Sequence, residues 1–150
     1  MKQKHSSIIL EVAYRLLIPV LIVFGVYVLI HGEYSPGGGF QAGVILALAV
    51  ILNRVLEPAD VKKNYWTYKT IALAGMGPVI YMMTGLLSIP FGGHFLEYGL
   101  LPLPVHEVER HLYGILFIEV GVTLGVMATI ISIFDSLGKV GDPDERGNLL

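Results

Sequence analysis

One carboxylate, Glu119, lies near the middle of the last long apolar stretch of the sequence, residues 112–134, which contains no other charged residue. A charge at bilayer depth is energetically costly, so a chain that keeps one there generally needs it to move protons or ions or to pair with another buried group. Because burial favours the neutral form of a carboxyl group, such a residue can relay protons. Glu119 is therefore a candidate for proton or ion transfer. A structural hydrogen bond or ion pair with a neighbouring subunit accounts for it equally well.

Histidine and acidic residues near the ends of the apolar stretches form a second group of candidates for ion or proton transfer. They are His31, Glu33, His106 and His111. Histidine titrates near neutral pH and can shuttle protons, and His111 would precede Glu119 by two helical turns, about 12 Å. The alternative is that these residues belong to ordinary solvated turns. Their spacing matches no metal-binding motif, and we expect no metal site.

The composition is that of an integral membrane protein. The chain is 54% hydrophobic and only 15% charged, whereas a soluble domain is nearer about 25% charged. A helix needs about 20 mostly apolar residues to cross a bilayer. We predict a single all-α membrane domain over residues 1–150, with spans at about 12–30, 36–56, 70–89 and 111–134 and a polar tail at 138–150. With no cysteine, disulfides, thiolate metal sites and iron–sulfur ligation are excluded.

The positions of the basic residues predict an orientation. All of the 10 lysine and arginine residues except Arg110 fall at the N-terminus, between the second and third predicted spans, or at the C-terminus. With four spans these segments share one side of the membrane, and the positive-inside rule makes that side cytoplasmic. We therefore expect a multi-pass protein of the cell membrane with both termini in the cytoplasm. The sequence has no basic stripe of the kind that would indicate a nucleic-acid partner.

A glycine run precedes the second span, whose uninterrupted apolar part, residues 40–52, is too short to cross a bilayer alone. Consecutive glycines disfavour a helix by about 1 kcal/mol each relative to alanine, so something must compensate. One compensation is close helix packing along a stripe of small residues; the other is a bare backbone at a helix N-terminus facing an ion. The residues of the run and of the small-residue stripes are Pro36, Gly37, Gly38, Gly39, Phe40, Gly43, Gly121 and Gly125.

Two segments carry a family resemblance. Residues 31–43, HGEYSPGGGFQAG, resemble the glycine-rich motif of the B subunit of Mrp-type multisubunit Na⁺/H⁺ antiporters, and residues 117–122, FIEVGV, are similar to that family's last helix. The resemblance covers essentially the whole chain. It implies a non-catalytic membrane subunit that packs beside larger antiporter-like subunits, in a complex that transports Na⁺ and H⁺, with no cofactor of its own.

The resemblance leaves two alternatives open. The same subunit type occurs in the ion-translocating membrane arm of redox-driven complexes such as membrane-bound hydrogenases. The partners there would include hydrogenase and iron–sulfur subunits, although this chain, without cysteine, would carry no redox chemistry. The second alternative is a purely structural assembly subunit in which no residue handles ions.

Overall fold

The computed structural model describes residues 8–32, 37–56 and 65–140, and it is helical throughout apart from turns and one long connection. The main helices are α1 (Ile8–Ile30), α2 (Gly39–Leu56), α3 (Tyr65–Leu86) and α4 (Glu107–Val140). Two short 3-10 turns, Ile89–Phe91 and Tyr98–Leu100, lie between α3 and α4. The described residues contain no strand, so the all-α prediction is confirmed for them.

Three of the helices are long and apolar enough to cross a membrane. The corresponding segments are Val12–Ile30, Lys69–Phe91 and Glu107–Leu137. The apolar part of α2, Gly39–Val55, is shorter, and the 18 residues of α2 rise about 27 Å in all. The number of spans and the side on which the termini lie therefore stay predictions. Of the predicted polar tail, the first residues continue α4 to Val140, and the rest lies outside the described residues.

Helix α2 begins later than the sequence predicts. Its first residue is Gly39 rather than residue 36, because Gly38 has a φ of +117°, which is outside the helical region. The N–H of Ala42 donates to the carbonyl oxygen of Gly38 at 3.0 Å and forms the first hydrogen bond of the helix. Pro36, the first residue of the predicted second span, lies outside the described residues.

Helix α4 packs between α2 and α3, and α1 packs mainly against α2. Helix α2 runs parallel to α4: its first residue Gly39 lies against Glu119, and Arg54 near its end forms an ion pair with Asp135. Helix α3 runs antiparallel to α4 and contacts it closely where Gly77 lies against Gly125. Two neighbours of α4 therefore meet it along different faces, each through glycine.

The outward faces of the helices are apolar. Leu16, Val23 and Leu137 are 68%, 70% and 69% exposed, and many other large apolar side chains are exposed along α1 and α3. The fully buried residues are mostly small, such as Ala42, Ala47 and Ala128. Small residues inside and large apolar residues outside are what helices need when lipid or other subunits surround them.

The connection between α3 and α4 folds back onto the ends of both helices. The Phe95 ring lies against Gly85 and 6.4 Å from the Tyr81 ring, and Leu101 is only 4% exposed. The Ser88 hydroxyl is buried and donates to the carbonyl oxygen of His94 at 2.6 Å. The connection is thus packed on its own chain, although Phe91 stays half exposed.

Candidate functional site

The Glu119 carboxylate lies against the bare backbone of the α1–α2 connection. A Cβ atom placed on Gly32 would lie 2.7 Å from Oε1 and 2.9 Å from Oε2 of Glu119. One placed on Gly38 would lie 3.1 Å from Oε1. Separations under about 3 Å are closer than carbon and oxygen can pack, so only glycine at residue 32 leaves room for the carboxylate where it lies.

Helices α2 and α4 meet through their backbones at the same level. A Cβ on Gly39 would overlap the carbonyl oxygen of Glu119 and lie 2.9 Å from its Cα. One turn further on, a Cβ on Gly43 would lie 2.8 Å from the carbonyl oxygen of Thr123. The Thr123 hydroxyl donates to the Glu119 carbonyl oxygen at 2.7 Å, with the Gly39 carbonyl oxygen 3.0 Å away. Gly39 and Gly43 thus serve close packing, and Gly38 places bare backbone beside the Glu119 carboxylate. The contact with an ion stays a prediction.

The start of α2 sets the electrostatics around the carboxylate. The first N–H groups of any helix lack intrahelical acceptors and carry a partial positive charge. Because Gly38 has no side chain, the carboxylate of Glu119 can lie close to this end of the helix. The arrangement combines a titratable group with irregular backbone between helix ends, as in membrane sites that bind ions at the ends of interrupted helices.

The opposite side of α4 carries no comparable polar feature among the described residues. Gly77 of α3 packs so closely that a Cβ on it would lie 2.6 Å from both the Gly121 carbonyl oxygen and the Gly125 Cα. Beside this contact runs a groove of about 490 Å³ between α3 and α4, with Phe40 of α2 at its edge and almost wholly apolar walls. Gly121 and Gly125 therefore serve helix packing, and the groove offers little to an ion.

The predicted histidine candidates make local contacts. His31 stacks on the Tyr27 ring with a centroid separation of 4.1 Å, and its Nδ1 lies 3.1 Å from the Tyr27 carbonyl oxygen. His111 is exposed; its Nδ1 lies 3.0 Å from the carbonyl oxygen of Glu107, and its ring meets the Tyr98 ring edge-on. His106 is exposed, and Glu33 lies outside the described residues. The roles proposed for these residues in ion transfer stay predictions.

Arg110, near the start of α4, pairs with backbone. It donates from Nε to the Val105 carbonyl oxygen at 3.0 Å and from Nη1 to the Gly99 carbonyl oxygen at 3.2 Å.

Burial, and after it the neighbouring Tyr81 phenol, raises the pKa of the Tyr98 phenol above its ordinary value of 10. Over the described ranges, no three histidine or acidic side chains are grouped as metal ligands would be.

Two polar contacts were not predicted from the sequence. Arg54 at the end of α2 forms an ion pair with Asp135 of α4, and the two side chains are only 16% and 14% exposed. The signal in the sequence is that Asp135 directly follows one apolar stretch and Arg54 lies two residues after another, and that both stretches end on the same predicted side of the membrane. Thr123 was also not among the candidate site residues, although it links Gly39 to Glu119.

Long apolar helices that pack through glycine around one carboxylate define the class: a helical membrane protein with a polar centre between its helices. Residues 9–132 match a family model described as a domain related to the MnhB subunit of Na⁺/H⁺ antiporter. This chain belongs to that family.

Individual relatives match over nearly their whole length. The B-type Na⁺/H⁺ antiporter subunit of Bacillus subtilis (strain 168) is 27% identical over 140 residues, which are 92% of this chain and 97% of that protein. A Staphylococcus haemolyticus protein provisionally named antiporter subunit mnhB2 is 30% identical over 145 residues, covering 89% of this chain and 96% of its own length. The Staphylococcus aureus (strain MRSA252) protein of the same name is 29% identical. The family predicted from residues 31–43 and 117–122 is thus confirmed.

Proposed function

We propose that this chain is a non-catalytic subunit of a multisubunit Mrp-type Na⁺/H⁺ antiporter and that its Glu119 takes part in ion or proton transfer. The chain crosses the cell membrane four times with both termini in the cytoplasm, and it packs beside larger antiporter-like subunits. The family match supports the first part. The exposed apolar faces of α1 and α3 support burial among lipid and neighbouring subunits.

The observation that carries the role of Glu119 is its contact with bare backbone. A carboxylate kept only for packing needs no bare backbone beside it, yet here Gly32 and Gly38 lie against its oxygens, and Gly39 lies against the backbone of the same residue. Irregular backbone at membrane depth is tolerated where protein or a hydrated cavity covers it. A group that changes charge there can exchange a proton, or a cation can replace the proton.

A single substitution in the assembled complex tests this role. We expect Glu119→Gln, which keeps the size of the side chain and removes its charge, to lower Na⁺-driven proton exchange by about tenfold or more. Exchange is measured in inverted membrane vesicles, and assembly on native gels of the same vesicles. The matched control is Glu109→Gln, an exposed carboxylate on the same helix, which should leave exchange unchanged.

The alternative roles give different results in the same experiment. Normal exchange with normal assembly in Glu119→Gln would end the proposal for Glu119. Loss of the complex before any loss of exchange per complex would favour the purely structural role. A pull-down from native membranes in mild detergent addresses the redox alternative: iron–sulfur or hydrogenase subunits among the partners would place the chain in a redox-driven arm, and antiporter-like subunits alone would not.

A further inference from the structure

The glycines near Glu119 have different neighbours, and the difference separates packing from positioning. A Cβ on Gly39 would meet the backbone of Glu119, and one on Gly43 would meet the Thr123 carbonyl oxygen and the Val126 side chain. Away from Glu119, a Cβ on Gly25 would meet the Leu46 side chain at 2.9 Å. At Gly32, two of the three nearest atoms are the carboxylate oxygens of Glu119, and the third is the Cα of Gly38 at 2.8 Å. Gly32 therefore faces the functional group of Glu119 and not its helix.

We propose that Gly32 is a positioning residue for Glu119. Its bare Cα, just beyond the end of α1, leaves the space in which both carboxylate oxygens lie beside the start of α2. A methyl group at residue 32 would overlap that space and push the carboxylate away from it. The inference rests on the proposed transfer role of Glu119 and deepens it, because it makes the position of the carboxylate depend on the end of α1.

The carboxylate is held in position from two sides. The Thr123 hydroxyl and Gly39 fix the backbone of Glu119 against α2. With the backbone fixed, the side chain can move only by changing its rotamer. Gly32 and Gly38 lie against the carboxylate oxygens at the end of this side chain. Transfer between groups is sensitive to displacements of about 1 Å, so we expect a change at Gly32 to alter function through the carboxylate while the contacts of Gly39 and Gly43 with α4 stay in place.

The test compares three alanine variants in the complete antiporter complex. Gly32→Ala is the test variant. Gly75→Ala is the control in open space, since a Cβ there has nothing within 4 Å, and Gly25→Ala is the control for packing of α1 on α2. The readouts are exchange per assembled complex and the labelling rate of Glu119 by dicyclohexylcarbodiimide, followed by mass spectrometry of the peptide that contains it.

We expect Gly32→Ala to lower exchange per complex by about tenfold or more and to speed labelling of Glu119, because the displaced carboxylate is no longer covered by backbone. Both controls should stay at the wild-type labelling rate. Labelling and exchange in Gly32→Ala that match the two controls would overturn the inference. The labelling result and the result of Glu119→Gln are independent. Faster labelling of Glu119 in Gly32→Ala, together with normal exchange in Glu119→Gln, would support the positioning by Gly32 and exclude the transfer role of Glu119.

A second variant covers failure of Gly32→Ala to assemble. Combining Gly32→Ala with Glu119→Asp shortens the carboxylate by one methylene and withdraws it from the new methyl group. Recovery of the complex to the level of Glu119→Asp alone supports positioning through the carboxylate. Equal loss in the double variant would show that Gly32 acts through the backbone of Gly38 instead, and it would overturn the inference.

Discussion

Helix α4 lies near glycines in two regions that differ in what the glycines contact. In the inner region, around Glu119, the glycines of α2 face the backbone of α4, and Gly32 faces a carboxylate. In the connection region, where the α3–α4 connection covers the helix ends, Gly85 lies beneath the ring of Phe95 and Gly114 beneath the ring of Tyr98. Both regions are close-packed, but in the inner region the side-chain group that lies against bare glycine backbone is a carboxylate.

Glycine should therefore be harder to replace in the inner region than in the connection region. A ring on a surface connection can swing away from an added methyl group, whereas a helix backbone cannot move without displacing everything packed on it. Phe95 is still 43% exposed and has room to turn. The inner region should therefore be intolerant of substitution, and the connection region should be tolerant.

The strongest effect is expected from overpacking the inner region. Gly39→Ala adds a methyl group that overlaps the Glu119 carbonyl oxygen, and overpacking of this kind costs about 1–3 kcal/mol or more. We expect a large loss of assembled complex and a lower melting temperature of what remains. Gly85→Ala, beneath the Phe95 ring, should cost less than about 1 kcal/mol. Thermal unfolding followed on native gels compares the two, and equal losses would contradict the distinction between the regions.

A smaller effect is expected at the far end of the α2–α4 interface. Asp135→Asn removes the charge that faces Arg54. The pair is 14–16% exposed, so its loss should cost about 1–3 kcal/mol, less than a fully buried pair and more than one on the surface. We expect a lower melting temperature of the complex with little change in exchange per complex, because the pair lies about 16 residues along α4 from Glu119.

The variant Arg54→Lys serves as the control for this pair. Lysine keeps the charge but not the planar geometry of the guanidinium, so its effect should be smaller than that of Asp135→Asn. A loss of exchange in Asp135→Asn as large as that in Glu119→Gln would show that the C-terminal part of the α2–α4 interface belongs to the transfer site, and the inner region would then extend to Asp135.

Much of this architecture was predictable from local features of the sequence. Apolar length placed the helices, and one charge in an apolar stretch made Glu119 a candidate, because both signals depend on composition within about 20 residues. The start of α2 was placed too early, since Pro36 is well suited to the first position of a helix and a φ of +117° at Gly38 leaves no mark that distinguishes it from its glycine neighbours.

Contacts between distant segments were not predictable in the same way. The sequence allowed packing or a bare helix start for the glycine run. In the structure Gly39 packs against the backbone of α4, and Gly38, just before the helix start, lies against the Glu119 carboxylate. Which glycine faces the carboxylate depends on the parallel register of α2 and α4, and that register is set by tertiary packing. The Arg54–Asp135 pair follows from the same register.

The weakest effect is expected in the connection region and depends on pH. The backbone N–H of His94, and after it the His94 side chain, lowers the pKa of the Glu97 carboxyl below its ordinary value of 4.5. The N–H donates to Glu97 Oε2 at 2.6 Å. A lowered pKa means that the contribution of this contact is complete above the ordinary value and is lost as the pH falls through the lowered one.

We therefore expect amide hydrogen exchange in the 93–97 segment of the complex, corrected for intrinsic rates, to stay constant between about pH 7 and 5 and to speed up only below the ordinary pKa of Glu97. Glu97→Ala removes the acceptor and should speed amide hydrogen exchange of this segment above the pKa of Glu97, with the difference from wild type disappearing below it. Amide hydrogen exchange around Glu119 should stay unchanged. Because Ser88 and Phe95 also hold the connection, the effect should remain local. A change that reached Glu119 would mean that the tolerant connection region and the rigid inner region are coupled through α4.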